Sequence, residues 1–234
     1  MLRNIKAIAF DADDTLWVNE PFFRNAEKEF CELMQDYLDE EQCNRLLFEV
    51  EMQNLPLYGY GIKPFTLSLI EAAIRFSDGK VPISAINTLI ERGKDMLQEP
   101  IELLDGIKDT LQQLNGGYRL VMATKGDLLD QERKLIKSGL EPYFHHIEIV
   151  SDKTEVQYRK LVNHLDVKPE EFLMVGNSVK SDILPVLNIG AHAFHIPYHT
   201  TWIHEEVKEP VEHPNFRLLN SATEMLNHLG VVAQ

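Results

Sequence analysis

The segment Phe10-Asp11-Ala12-Asp13-Asp14-Thr15-Leu16 sets three carboxylates within four positions, directly after the apolar run Ile5–Phe10. Two carboxylates about 4 Å apart repel by roughly 4 kcal/mol at an effective dielectric near 20, so a divalent cation or a shared proton must hold them together. An Asp-rich turn can also serve only as a helix cap. An EF-hand loop is excluded, because Leu16 stands where the turn glycine is needed and Phe22 where the bidentate Glu is needed. The chemistry open to such a cluster is nucleophilic attack by one carboxylate and proton transfer by another.

A strand has to present this cluster. Ile5–Phe10 is a compact β-favouring run ended by the acidic residues, which predicts a buried parallel strand with its functional loop at the carboxyl end. Tyr118–Ala123, His146–Val150, Phe172–Val175 and Ala191–His195 are further short apolar runs. Helical stretches near Ile107–Leu114, Leu128–Ser138, Glu155–Leu165 and Ser181–Leu187 alternate with them, the pattern of an open parallel sheet. Between Glu20 and Pro100 the texture changes to consecutive helical segments (Phe22–Leu38, Glu41–Gln53, Phe65–Phe76, Ile83–Leu97) without an intervening strand. The expected class is therefore α/β: a Rossmann-like parallel sheet core from residues 1–19 and 101–234, with an inserted all-helical cap domain over residues 20–100. An insert entering after the first strand can sit over its carboxyl end, where open α/β sheets bind ligands.

With the strands in place, Asp11-Ala12-Asp13-Asp14-Thr15-Leu16 resembles motif one, DxDxT, of the haloacid dehalogenase-like (HAD) hydrolase superfamily. The resemblance covers nearly the whole chain. Thr124, closing Leu120-Val121-Met122-Ala123, is similar to motif two, and Lys153 in Ser151-Asp152-Lys153-Thr154 to motif three. Gly176-Asn177-Ser178 through Asp182 is similar to the acidic motif four. Each of the last three is weak alone; their order along the chain makes them specific.

The resemblance implies a phosphatase with a small phosphorylated metabolite as substrate and Mg2+ as cofactor. Asp11 would attack phosphorus to give an aspartyl-phosphate, and Asp13 would protonate the leaving oxygen and then deprotonate water. Thr124 would donate its hydroxyl to a phosphoryl oxygen while Lys153 offsets charge. Magnesium would be held by Asp11, the main-chain carbonyl of Asp13, Asn177 and Asp182. Two positions depart from the family's pattern. Thr154 follows the motif-three lysine where many relatives have Pro, leaving Lys160 as a fallback in mid-helix, and Asn177 stands where an Asp usually ligates the metal. An amide oxygen still suits a hard cation but lacks a charge. Asp182 is then either a ligand, directly or through water, or the group that holds Lys153. Asp13 favours phosphoryl chemistry, because the dehalogenase branch lacks that residue. A phosphomutase would share the nucleophile, and a silent phosphate-ligand-binding protein would share the pocket.

Composition sets the frame. The 234 residues, 44% hydrophobic and 26% charged, have the balance of a globular chain. A net charge of −14 repels nucleic acid and anionic lipid, so neither is an expected partner. Phosphorylated ligands would be repelled too without a local cation. Only Cys31 and Cys43 are present, and no signal-peptide pattern or membrane-length apolar run occurs, so the expected setting is the cytoplasm, as a monomer or small homo-oligomer.

Other features are weaker. In Tyr58-Gly59-Tyr60-Gly61-Ile62-Lys63-Pro64-Phe65, Lys63 could meet a substrate anion, although a structural turn with packed aromatics is the favoured reading. Lys125 and Gly126 follow Thr124 and are candidates for binding the substrate with it, where Gly126 could turn a backbone N–H toward phosphate at a helix start. His192, His195, His199 and His204 lack a zinc-site spacing, and Thr200–Pro214 with its four glutamates reads as a solvated loop.

Overall fold

The structure is a computed structural model and describes residues 2–231. The chain divides into two compact units: Met1–Glu20, Ile101–Lys125 and Gln131–Gln234 form one, Pro21–Pro100 and Gly126–Asp130 the other.

The first unit is built on a six-stranded sheet, β1 (Ala7–Phe10), β2 (Arg119–Lys125), β3 (His146–Val150), β4 (Phe172–Gly176), β5 (His192–His195) and β6 (Phe216–Leu218), in the order β3-β2-β1-β4-β5-β6. Every pairing is parallel, and Phe10 lies between Met122 and Val175. Parallel strands covered on both faces read as continuous apolar runs. In β1 the alternation is one of size: Ile8 and Phe10 pack with Leu120, Met122, Leu173 and Val175, while Ala7 and Ala9 pack with Val121, Phe172 and Met174. β1 is thus central, and its last residue delivers Asp11 at the point where the strand order reverses, the position at which open α/β sheets bind ligands. The short β6 has no counterpart in the apolar pattern. Its three residues include Arg217, and as an edge strand it buries too little to leave a hydrophobic signature.

The second unit contains four helices, α1 (Glu20–Leu33), α2 (Glu40–Tyr58), α3 (Ile62–Phe76) and α4 (Ile83–Gln98), around a core that includes Phe30, Met34, Leu47 and Leu69. α2 runs past Gln53 through Pro56, because a proline in the last turn removes one N–H and Gly59 N–H still bonds Leu55 O at 2.9 Å. α3 starts at Ile62, earlier than the periodicity predicts, so Lys63 sits in a helix rather than in the preceding turn. Among the described residues no helix is long and apolar enough to cross a membrane.

The chain leaves and re-enters the sheet unit through a paired stem. Val18 N–H bonds Glu102 O at 2.9 Å, Leu104 N–H bonds Leu16 O at 3.0 Å, and Trp17 and Leu103 form an antiparallel bridge.

Candidate active site

Asp11 directly follows β1, held by its N–H to Val175 O at 2.9 Å. Its carboxylate is buried, with Oδ1 on the Lys153 ammonium and Oδ2 accepting the Thr15 hydroxyl at 3.4 Å. Lys153 Nζ also reaches Asp182 Oδ1 at 2.6 Å, and Asp182 Oδ2 accepts Ser178 N–H at 3.0 Å. Burial pushes the Asp11 carboxyl up to about 7, against the attraction of Lys153 and with the Asp182 charge adding to the rise. Burial alone would lower the Lys153 ammonium, but the two carboxylates overcome it and hold the group well above its usual range.

Local sequence explains this convergence. Thr154, itself extended, caps the helix Glu155–His164 through a bond from Gln157 N–H, so Lys153 falls directly before the helix cap. Beyond β4 the chain makes a wide π-helical turn, Val179–Ile183, before the short helix Leu184–Asn188, where the sequence predicts one helix from Ser181. Both oxygens of Asp182 are engaged, by Lys153 and by Ser178, so of its two expected roles the geometry accommodates the holding of Lys153.

Asn177 Oδ1 faces Thr15 Oγ1 at 3.2 Å, the hydroxyl that also approaches Asp11 Oδ2. Two oxygens, one anionic and one amide, therefore gather around one hydroxyl through long contacts. That donor set fits a hard divalent cation such as magnesium better than a soft one. Asn177 O receives the His195 ring at 2.9 Å, and burial lowers the basicity of that imidazole.

The neighbouring acids are used differently. Asp13 accepts from Trp17 Nε1 at 2.8 Å, Gln131 Nε2 at 2.8 Å and Lys134 Nζ at 2.9 Å, and Lys134 bridges to Asn19 Oδ1 at 2.8 Å. Asp14, at a φ of 58°, caps the start of α1 by accepting the N–H groups of Asn19 and Glu20, with burial raising its carboxyl to about 7. The helix-cap reading of an acidic turn thus applies to one member of the cluster.

Thr124 is buried near the end of β2 and donates to Lys125 O at 3.2 Å. Gly126, at a φ of 138°, turns the chain into the helix Leu128–Ser138 in a conformation that L side chains rarely adopt. Asp127 Oδ1 accepts Asp130 N–H at 3.1 Å and the Lys63 ammonium at 2.7 Å, so Lys63 is tied to this helix start. Lys125 does not stand alone as an anion grip. Its ammonium meets Glu205 Oε1 at 2.6 Å and Ser181 Oγ at 2.9 Å. Glu205 corrects the picture of Thr200–Pro214 as a merely solvated loop: its side chain is 11% exposed and its Oε2 accepts the Ser178 and Ser181 hydroxyls at 2.5 Å each. Burial would raise this carboxyl, but Lys125 and the two hydroxyls bring it down to about 2. Gln131, Lys134 and Glu205 carry no local sequence signal, since their partners are distant in the chain. Lys160 lies on the second turn of its helix, and none of the site contacts above involves it.

A parallel sheet with a buried aspartate–lysine–aspartate group at the carboxyl end of its central strand defines an α/β protein of the doubly wound class, with its polar cluster where such sheets bind ligands. The family model of the haloacid dehalogenase-like hydrolases matches residues 5–190, and the chain belongs to that family. A haloacid dehalogenase-like hydrolase from Xanthomonas campestris superposes with a TM-score of 0.87 at 34% identity, covering 98% of this chain and 92% of that one. In sequence the chain is similar to the glyceraldehyde 3-phosphate phosphatase of Methanothermobacter thermautotrophicus, 28% identical over 81% of this chain and 84% of that protein. It is also similar to the N-acylneuraminate-9-phosphatase of Homo sapiens, 25% identical over 90% of this chain and 87% of that protein.

Proposed function

We propose that the chain is a magnesium-dependent phosphatase that hydrolyses small phosphomonoesters through an aspartyl-phosphate on Asp11. The observation that carries this reading is the buried Asp11 carboxylate, fixed by Lys153, whose second oxygen lies by Thr15 close to Asn177. The names of the similar proteins support it, since two different small phosphate esters share one reaction.

In the first step an Asp11 oxygen forms a bond to phosphorus as the ester P–O bond breaks, and Asp13 donates its proton to the departing alkoxide. In the second step water attacks phosphorus, Asp13 takes the water proton, and Asp11 leaves as carboxylate. Thr124 donates to a non-bridging oxygen, and Lys153, kept cationic by Asp182, offsets the charge gathering there. Asp11, the main-chain carbonyl of Asp13 and Asn177 would hold magnesium, which when bound offsets phosphate charge next to the nucleophile in so acidic a chain. The helical unit is read as the cap that selects the leaving group. A reducing cytoplasm fits the two free thiols, Cys31 and Cys43.

The test is turnover of an aryl phosphate with magnesium, with EDTA, and in Asp11→Asn, followed by a panel including glyceraldehyde 3-phosphate and N-acylneuraminate 9-phosphate. Wild-type hydrolysis lost under EDTA, and reduced by on the order of 10³-fold or more in Asp11→Asn, is expected. An inactive wild type across the panel at every magnesium concentration would overturn the assignment.

A further inference from the structure

Glu205 belongs to none of the four motif positions, yet its carboxylate bonds to residues beside two of them. It is carried by the short 3-10 turn Ile203–Glu205 in the loop after β5. Its Oε1 takes Lys125, the neighbour of Thr124, and its Oε2 takes Ser178, the neighbour of Asn177, together with Ser181. The serines are themselves locked: Ser181 N–H donates to Ser178 Oγ at 3.0 Å, and the buried Tyr158 hydroxyl donates to Ser181 O at 3.0 Å. On the outside, Lys180 Nζ donates to His204 O at 2.8 Å, giving the same turn a second attachment. A glutamate on a solvated loop keeps its water. Here an ammonium and two hydroxyls have replaced it with charge-assisted bonds, which are the strong ones and have fixed directions.

We propose that Glu205 is a positioning residue for the phosphatase reaction: it latches the carboxyl end of β2 to the loop after β4 and so fixes Thr124 relative to Asn177. The inference rests on the functional reading above for its catalytic consequence, but the latch itself can be observed without turnover. Lys125 then serves chiefly as the latch's cationic half.

The experiment uses the full chain as wild type, Glu205→Ala, Glu205→Gln, Lys125→Met and the Lys125→Met/Glu205→Gln pair. Amide hydrogen exchange is followed in peptides covering residues 122–128 and 175–183, with residues 7–10 of β1 as internal reference. In Glu205→Ala both loop peptides should exchange about tenfold faster or more, with the reference unchanged. With an aryl phosphate kcat should fall by roughly 10–100-fold and KM by far less, the range seen when a supporting partner is removed. The double variant should lose less than the product of the two single losses, because both act on one contact. Glu205→Gln keeps the side-chain volume and decides the matter if Glu205→Ala does not fold. Unchanged exchange in either loop, or kcat within twofold of wild type in a folded variant, would overturn the proposal. A wild type without turnover would instead sink the phosphatase reading, with exchange still deciding the latch.

Discussion

The Asp182 carboxylate fills the space that a β-carbon on Gly176 would occupy: a methyl built there overlaps the Asp182 side chain from Cβ to Oδ2. Gly176 therefore serves close approach rather than a turn, and Asp182 reaches Lys153 only because β4 ends without a side chain. Gly176→Ala should displace Asp182, cost about 1–3 kcal/mol of stability as overpacking does, and depress kcat. Urea unfolding and steady-state kinetics on one preparation check this, and unchanged values in both would contradict the packing argument.

Lys153 bridges two buried carboxylates with one positive charge, so its loss reaches beyond catalysis. Lys153→Met should lower stability by about 3–5 kcal/mol, because Asp11 and Asp182 would face each other uncompensated. Added protons should then restore part of the loss. Denaturant unfolding of this variant at two pH values reads both effects, and a variant as stable as wild type at neutral pH would show that the carboxylates find other partners.

Asn177→Asp should tighten magnesium binding by on the order of tenfold, since it adds a charge where an amide oxygen now faces Thr15. The same change should make the metal-free protein less stable by crowding a carboxylate near Asp11, so its Tm should depend more steeply on magnesium than that of wild type. Calorimetric titration and melting curves supply the two numbers. Equal affinities would place the cation elsewhere.

Glu205 makes the protein sensitive to acid in a defined window. Its carboxyl lies at about 2 in the folded chain against an ordinary 4.5, so the folded form binds fewer protons than the unfolded one between these values. The stability it contributes is fully present above about pH 5 and is lost as pH falls toward 2. Melting curves from pH 7 to pH 3 should show wild type losing its advantage over Glu205→Gln in the lower part of that range. A constant difference would mean that the charge of Glu205 is not what stabilises the loop.

Much of this arrangement is legible in the chain because it is local. Asp11, Asp13 and Asp14 adjoin the strand that presents them, and Thr124, Lys153 and Asn177 each sit at a strand end or helix start, where hydrophobic periodicity points. What escapes the sequence is made of long-range pairings. Glu205 looks like one of four solvated glutamates until the fold sets Lys125 beside it, and Gln131 and Lys134 are unremarkable helix residues until Asp13 meets them. β6 escapes because an edge strand of three residues buries almost no apolar surface. For Asp14 the sequence leaves open whether the third carboxylate of the cluster joins the chemistry or caps a helix, and the fold makes it the cap of α1, because proximity in sequence does not decide which way a side chain turns.

The paired stem at Leu16–Val18 and Glu102–Leu104 bears on the history of the chain as well as its architecture. Once those two segments are zipped, both ends of Pro21–Pro100 are anchored side by side by hydrogen bonds that belong wholly to the sheet unit. The tethered stretch can then lengthen or shorten at little expense to the sheet, since doubling a flexible loop adds only about 0.6 kcal/mol of closure entropy. Changes of length within the tethered stretch are thus uncoupled from the hydrogen bonds that hold the sheet unit together.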